Sequence, residues 1–203
     1  IALADNTLPD SRRKSLLERK RVIATESLQD MAALREACEG LLALNPDDEE
    51  ALSTIERLAR EDMDWEALDL VLARHLAAAD KDHERVDLLI RRAQNALDAL
   101  QKPEAALNHA LTADSLAPRG PGPDALVEML DALLAFDATR GAAASKLEAR
   151  YRARQQWRDL LKTLDALRDT YEAVEHYEAV SVDMARIARD QLNEPTTALS
   201  ALV

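Results

Sequence analysis

Apolar residues return at intervals of three and four along nearly the whole chain. Leu52, Ile55, Leu58 and Ala59 show it in one stretch, and Val86, Leu89, Ile90, Ala93, Leu97 and Leu100 in another. That period gathers them on one face of a helix and leaves the opposite face to charged residues. Strands would alternate every second residue between frequent Gly and Pro turns, and the chain, with four glycines and seven prolines, reads poorly that way. The pattern predicts helices over residues 11–28, 30–44, 49–61, 64–79, 83–100, 103–116, 123–136, 141–153, 156–170, 173–192 and 195–203. The prolines fall where those helices start or stop, positions that tolerate a missing N–H. Asp47, Asp48, Asp64 and Asp124 stand where N-caps are wanted. The short connectors make sequential helices antiparallel neighbours. No stop signal precedes Val203, so the chain is expected to end inside a helix.

The helices repeat. Shifted by 72 positions, LQDMAALREACEGLLALNP (Leu28 to Pro46) falls on LQKPEAALNHALTADSLAP (Leu100 to Pro118). Shifted by 92, DWEALDLVL (Asp64 to Leu72) falls on QWRDLLKTL (Gln156 to Leu164), and AQNALDALQKPEAAL (Ala93 to Leu107) on ARIARDQLNEPTTAL (Ala185 to Leu199). Trp65 then meets Trp157, and Pro103 meets Pro195. The two offsets differ by 20, about one helix plus a connector, which predicts an inserted or displaced helix near 123–136, at the join marked by RGPGP. Repeats of this size mean stacked supersecondary units.

A unit of 72 residues is two helix pairs of about 36. In LTADSLAP and EGLLALNP, with Ala106, Ala110, Ala113 and Pro118 at the matching intervals, and in the helix start DWEAL, the chain resembles the tetratricopeptide repeat family. In place of that family's Trp-Leu-Gly-Tyr pattern in the first helix, it offers Ile90, Ala93, Gln94 and Leu97. The resemblance implies an all-α fold, a right-handed α-solenoid of antiparallel helix pairs. Residues 1–118 would form the N-terminal pairs, and 119–203 would continue the same solenoid beyond a join at Arg119–Pro123. It further implies an interaction scaffold whose first helices line a concave groove for a peptide or another subunit. Stacked helix pairs present extended binding surfaces and no deep catalytic cleft.

Composition sharpens this picture. With 47% hydrophobic but only 3% aromatic residues among 203, the core must be built from Ala, Leu, Val and Ile, which suits close helix packing. A net charge of −12 argues against a nucleic-acid partner, since phosphate recognition rests on Lys and Arg. Residues 1–25 run the other way, with Arg12, Arg13, Lys14, Arg19, Lys20 and Arg21 against three acidic groups. We read this run as a solvated face, with an acidic partner or neighbouring repeat as the alternative. The single cysteine, Cys38, excludes an intrachain disulfide and a multi-cysteine metal site; its setting in LREACEGLLAL points it inward. No stretch approaches the length of a membrane span. The start at IALADNT, without Met, is expected of a mature or shortened chain, and the compartment stays open between cytoplasm and periplasm.

Candidate chemistry is sparse. His75, His83, His109 and His176 do not form an H-E-x-x-H pair. The carboxylates of DDEE at 47–50 sit at a helix start, where they favour the macrodipole. Neither a nucleophile elbow nor a phosphate-binding glycine loop is present. We therefore expect no enzyme activity, no cofactor and no metal. Trp65 and Trp157 are either exposed contact residues or, as we read them, packing wedges between helix pairs. The feature most suggestive of binding is Lys146, Arg150 and Arg154, spaced by four, with Arg158 beyond them. Residues 140–162 hold seven basic groups against Glu148 and Asp159. Such a stripe clamps a carboxylate or acidic segment, or it is solvated, or it pairs with acids on an adjacent helix. The expected partner is a protein or peptide, an acidic one if the stripe binds it, or further repeats of the same chain. The alternative function is a regulatory or recruiting segment of a larger enzyme or assembly.

Overall fold

The computed structural model describes residues 8–117, 124–171 and 174–202. Pro118 and the expected join Arg119–Pro123 lie outside the described residues, as does Val203. Among the described residues the chain forms α-helices and no strand. In order they are α1 (Asp10–Ile23), α2 (Met31–Leu44), α3 (Glu49–Glu61), α4 (Trp65–Ala78), α5 (Asp82–Gln94), α6 (Pro103–Leu116), α7 (Asp124–Ala132), α8 (Asp137–Arg154), α9 (Trp157–Arg168), α10 (Val174–Asp190) and α11 (Pro195–Ser200). The protein is all-α, as the helical period of its apolar residues implies. Local chemistry sets the starts. Asp30, Asp48 and Asp64 each accept the N–H of the residue three positions on at 3.0 Å, satisfying one of the orphan donors of the first turn. Pro103 and Pro195 occupy the first turns of α6 and α11, where no main-chain donor is lost.

The ends carry the repeat. Among the described residues, five non-glycine residues take a left-handed backbone, Gln29, Met63, Gln101, Gln155 and Asn193, at φ of 48, 55, 54, 56 and 55°. Each sits between two helices, and the five turns are of two alternating kinds. At Met63 and Gln155 the closure is tight: Asp64 N–H donates to Ala59 O at 2.9 Å and Gln156 N–H to Tyr151 O at 3.0 Å, while the left-handed residue bonds Arg60 or Arg152. This is the Schellman arrangement. At Gln29, Gln101 and Asn193 the loop is one residue wider. Asp30 reaches back to Ala24 O at 3.1 Å, Lys102 to Ala96 O at 2.7 Å and Glu194 to Ala188 O at 2.9 Å. The first two of these helices open to π geometry, over Ala24–Leu28 and Asn95–Ala99. All three acceptors are buried alanines, small enough for the returning chain to lie on them. Gln29 to Gln101 spans 72 residues, whereas Met63 to Gln155 and Gln101 to Asn193 each span 92. Turn geometry therefore repeats at the same offsets as the sequence, and the stretch between Gln101 and Gln155 includes the additional helix α7.

Two boundaries differ from expectation: α11 ends at Ser200 with Ala201 and Leu202 in a turn, short of the expected helix to 203, and the other lies at the start of α8. The chain re-enters helix at Asp137, not at Gly141. α7 tightens into a 3-10 turn at Leu133–Ala135. The Thr139 hydroxyl then donates to Leu133 O at 2.7 Å and Arg140 Nε to Leu134 O at 3.0 Å. These side chains satisfy carbonyls that a helix would otherwise have bonded, so the break needs no Gly or Pro.

The molecule divides into two compact units that meet in sequence between Leu88 and Leu89, within α5. In the first, α1 packs on α2, α2 on α3 and α3 on α4. Leu34, Cys38, Leu41, Leu52 and Leu58 fill its core. Leu17 of α1 lies directly on the α2 backbone at Gly40, where an added Cβ would come within 2.8 Å of it. Trp65 packs over a second cluster of Ala59, Leu68, Leu72 and Leu88. In the second unit α6 packs on both α7 and α8, and α8, α9, α10 and α11 each pack on the next. Leu126, Leu130, Leu133, Leu147, Leu160 and Leu164 are fully buried there, each contributing about 1.5–3 kcal/mol by leaving water. Trp157 opens α9 as Trp65 opens α4, and both are half-buried.

Candidate functional site

The basic stripe runs along α8. Lys146 Nζ lies 3.1 Å from Asp114 Oδ2 of α6. Arg150 Nε donates to Asp114 Oδ1 at 3.0 Å, and a second guanidinium nitrogen reaches the same oxygen. Arg150 is buried. Arg154 pairs with Asp124 Oδ1 of α7 at 2.7 Å. Arg158 stands beyond the left-handed turn at Gln155, in the first turn of α9, and meets Glu194 at 3.1 Å while remaining largely exposed. Of the alternatives left open by the spacing, pairing with acids of adjacent helices describes Arg150 and Arg154. Lys146 and Arg158 keep much of their surface in water. Burial pushes the Asp114 carboxyl up, but the hydrogen bonds and charges of Arg150 and Lys146 outweigh it and hold the group below its ordinary value. Arg152, two residues from Arg150 and so on the opposite side of α8 from the stripe, pairs with Glu148 and with Asp183 of α10. α8 is thus tied to α6, α7 and α10 by charge.

The basic run of α1 is engaged in the same manner. Lys20 meets Glu36 of α2 at 2.5 Å and Arg21 meets Glu50 of α3 at 2.6 Å, while Lys14 and Arg19 remain exposed.

A groove that the spacing did not single out lies in the first unit, between α2, α3 and α4. It encloses about 550 Å³. Its floor is Leu42, Ile55 and Val71, and Arg35, Glu39 and Arg74 stand on its rim. Arg35 is braced by Asp62 at 2.6 Å. Leu70, an apolar residue off the buried face of α4, is exposed at its edge. That residue was the one available signal, and a lone exposed leucine is too common to read. An apolar floor with a mixed-charge rim matches an amphipathic polypeptide segment in its chemistry.

Other polar groups of the interior serve the fold. Glu56 of α3 is buried, with Arg60 at 3.0 Å and His75 Nδ1 at 3.7 Å. Tyr151 is buried beside Asp131 and Asp159, and burial together with those charges pushes its phenol up to about 12. Cys38 is fully buried, and burial raises its thiol above the usual value. Among the described residues, no three His, Cys, Asp or Glu side chains gather to hold a metal, and no helix is long and apolar enough to cross a membrane.

No known family model and no curated protein matches the chain.

Proposed function

We propose that the protein is a non-enzymatic scaffold, a right-handed α-solenoid of tetratricopeptide-like helix pairs that binds a peptide or protein partner in a helical groove. The observation that carries this reading is the alternation of tight and wide left-handed turns at offsets of 72 and 92 residues. Hairpins that close the same way at matched places along the chain favour the same stacking, and stacks of helix pairs generate long grooves. The α2–α4 groove supplies an apolar floor, and its rim arginines, with Lys146 and Arg158 elsewhere on the surface, favour an acidic partner.

Two measurements test this. Small-angle scattering of the monomer should give a radius of gyration clearly above the roughly 17 Å of a compact chain of this length; a value at that figure refutes the solenoid. A photo-crosslinking residue placed at Leu70 should trap a discrete protein partner in cell extract, and at Arg158 a salt-sensitive one. Absence of any discrete adduct at both positions refutes the scaffold.

A further inference from the structure

The offset of 92 that carries Gln101 onto Asn193 also matches the hairpin of α5 and α6 to that of α10 and α11, residue by residue. In the earlier hairpin Ile90 is 4%, Leu107 9% and Ala110 0% exposed; their counterparts Val182, Leu199 and Leu202 are 53%, 67% and 55% exposed. Leu107 and Leu199 are the same residue, at the same place in the same kind of hairpin. What separates them is cover. The helix carrying Leu107 and Ala110 is packed by α7 and α8, and α7 buries Leu126, Val127, Met129 and Leu130 while its sequence carries Asp124, Glu128 and Asp131.

The uncovered face of α10 and α11 is a shallow cavity of about 560 Å³, lined chiefly by Val182, Ala185, Ala198, Leu199 and Leu202 and rimmed by Arg186 and Arg189. Those arginines stand where the earlier hairpin has Gln94 and Leu97. Both arginines are exposed; Arg186 reaches the half-buried Asp183 only at 3.7 Å, and the pair of Arg189 with Asp190 is exposed, and a long or exposed pair gives way readily to a better one. The face thus asks for the same kind of cover that α7 and α8 give α6, with more negative charge at the edge.

We propose that the α10–α11 face is a docking site for an amphipathic α-helix of a partner polypeptide, with acidic residues flanking its apolar stripe. Apolar side chains spaced by three and four settle over Val182, Leu199 and Leu202, and the flanking carboxylates meet Arg186 and Arg189 in charge-assisted bonds. The site presupposes the scaffold reading above and assigns it a place and a ligand chemistry.

The probe is a labelled peptide of residues 124–136, DALVEMLDALLAF, titrated into the full chain and followed by fluorescence anisotropy. Saturable binding is expected. Leu199→Asp and Leu202→Asp should each weaken it at least tenfold with the melting temperature unchanged, because both side chains are already in water. Arg186→Glu with Arg189→Glu should weaken it three- to tenfold, an effect that fades with added salt. Three results overturn the site: no saturable binding, loss with Leu70→Asp in place of Leu199→Asp, or a wild-type dimer in sedimentation that Leu199→Asp dissociates, which would make the occupant a second copy. Partner capture at Leu70 with a silent α10–α11 face would remove this site alone and leave the scaffold standing.

Discussion

Replacing Arg150 by Met is the most informative single perturbation, because it separates a residue that holds the fold from one that receives a partner. The change removes two charge-assisted hydrogen bonds to Asp114 while keeping most of the side-chain volume in a buried position. Asp114, whose side chain is 16% exposed, would keep Lys146 at 3.1 Å. Breaking a fully buried pair costs about 3–5 kcal/mol. Residual water and the remaining lysine soften that to about 2–3 kcal/mol, and at the 2–4 °C per kcal/mol typical of chains near this length the melting midpoint should fall by roughly 4–12 °C. Lys146→Met, at a half-exposed site, should cost under about 1 kcal/mol. Adding Asp114→Asn to Arg150→Met should recover part of the loss, since the stranded charge goes with it. The pH dependence has a definite sign. The folded-state pKa of Asp114 is lowered, so its contribution is present above the unfolded value of about 3.9 and is lost as pH falls through the folded one. The gap between wild type and Arg150→Met should therefore be full at neutral pH and narrow through the carboxylate range. Thermal and urea unfolding followed by circular dichroism measures all of this. If Arg150→Met and Asp114→Asn both unfold within about 0.5 kcal/mol of the wild type, the pair does not hold α8 to α6 and the stripe is again a candidate binding surface in full.

Three further outcomes follow from the turns and the core. Met63→Gly should raise stability by about 0.5–1 kcal/mol, because the left-handed backbone costs an exposed methionine more than it costs glycine; a loss would mean that the Met63 side chain holds contacts its exposure hides. Ala96→Leu should cost about 1–3 kcal/mol by overfilling the wide turn, with a comparable loss for Ala188→Leu at the matched place, and tolerance at either would break the equivalence of the turns. Cys38, fully buried with its thiol raised by burial, should react with an aromatic disulfide reagent only as fast as the first unit opens. Reaction faster than global unfolding would reveal local opening of α2.

The sequence by itself determined the helices and their period. α6 begins at Pro103 and ends at Leu116 as the apolar spacing and the proline require, because caps and a 3.6-residue repeat act within a few residues of themselves. It also marked the turns: Leu28–Gln29 and Leu100–Gln101 coincide in the chain's own self-match, and both glutamines take the left-handed conformation. Tertiary structure decided everything in which spacing is ambiguous. Basic residues four apart look alike whether they face water or a carboxylate, and only the arrival of Asp114 from α6 turned Arg150 inward. The start of α8 depended on Thr139 and Arg140 finding carbonyls of the preceding turn, bonds that leave no trace in periodicity. The α2–α4 groove exists because three helices meet around it. Leu107 and Leu199 state the limit most plainly: matched at the same place after a helix-starting proline, one lies buried and the other bare, since burial belongs to the neighbours a residue meets and not to the residue.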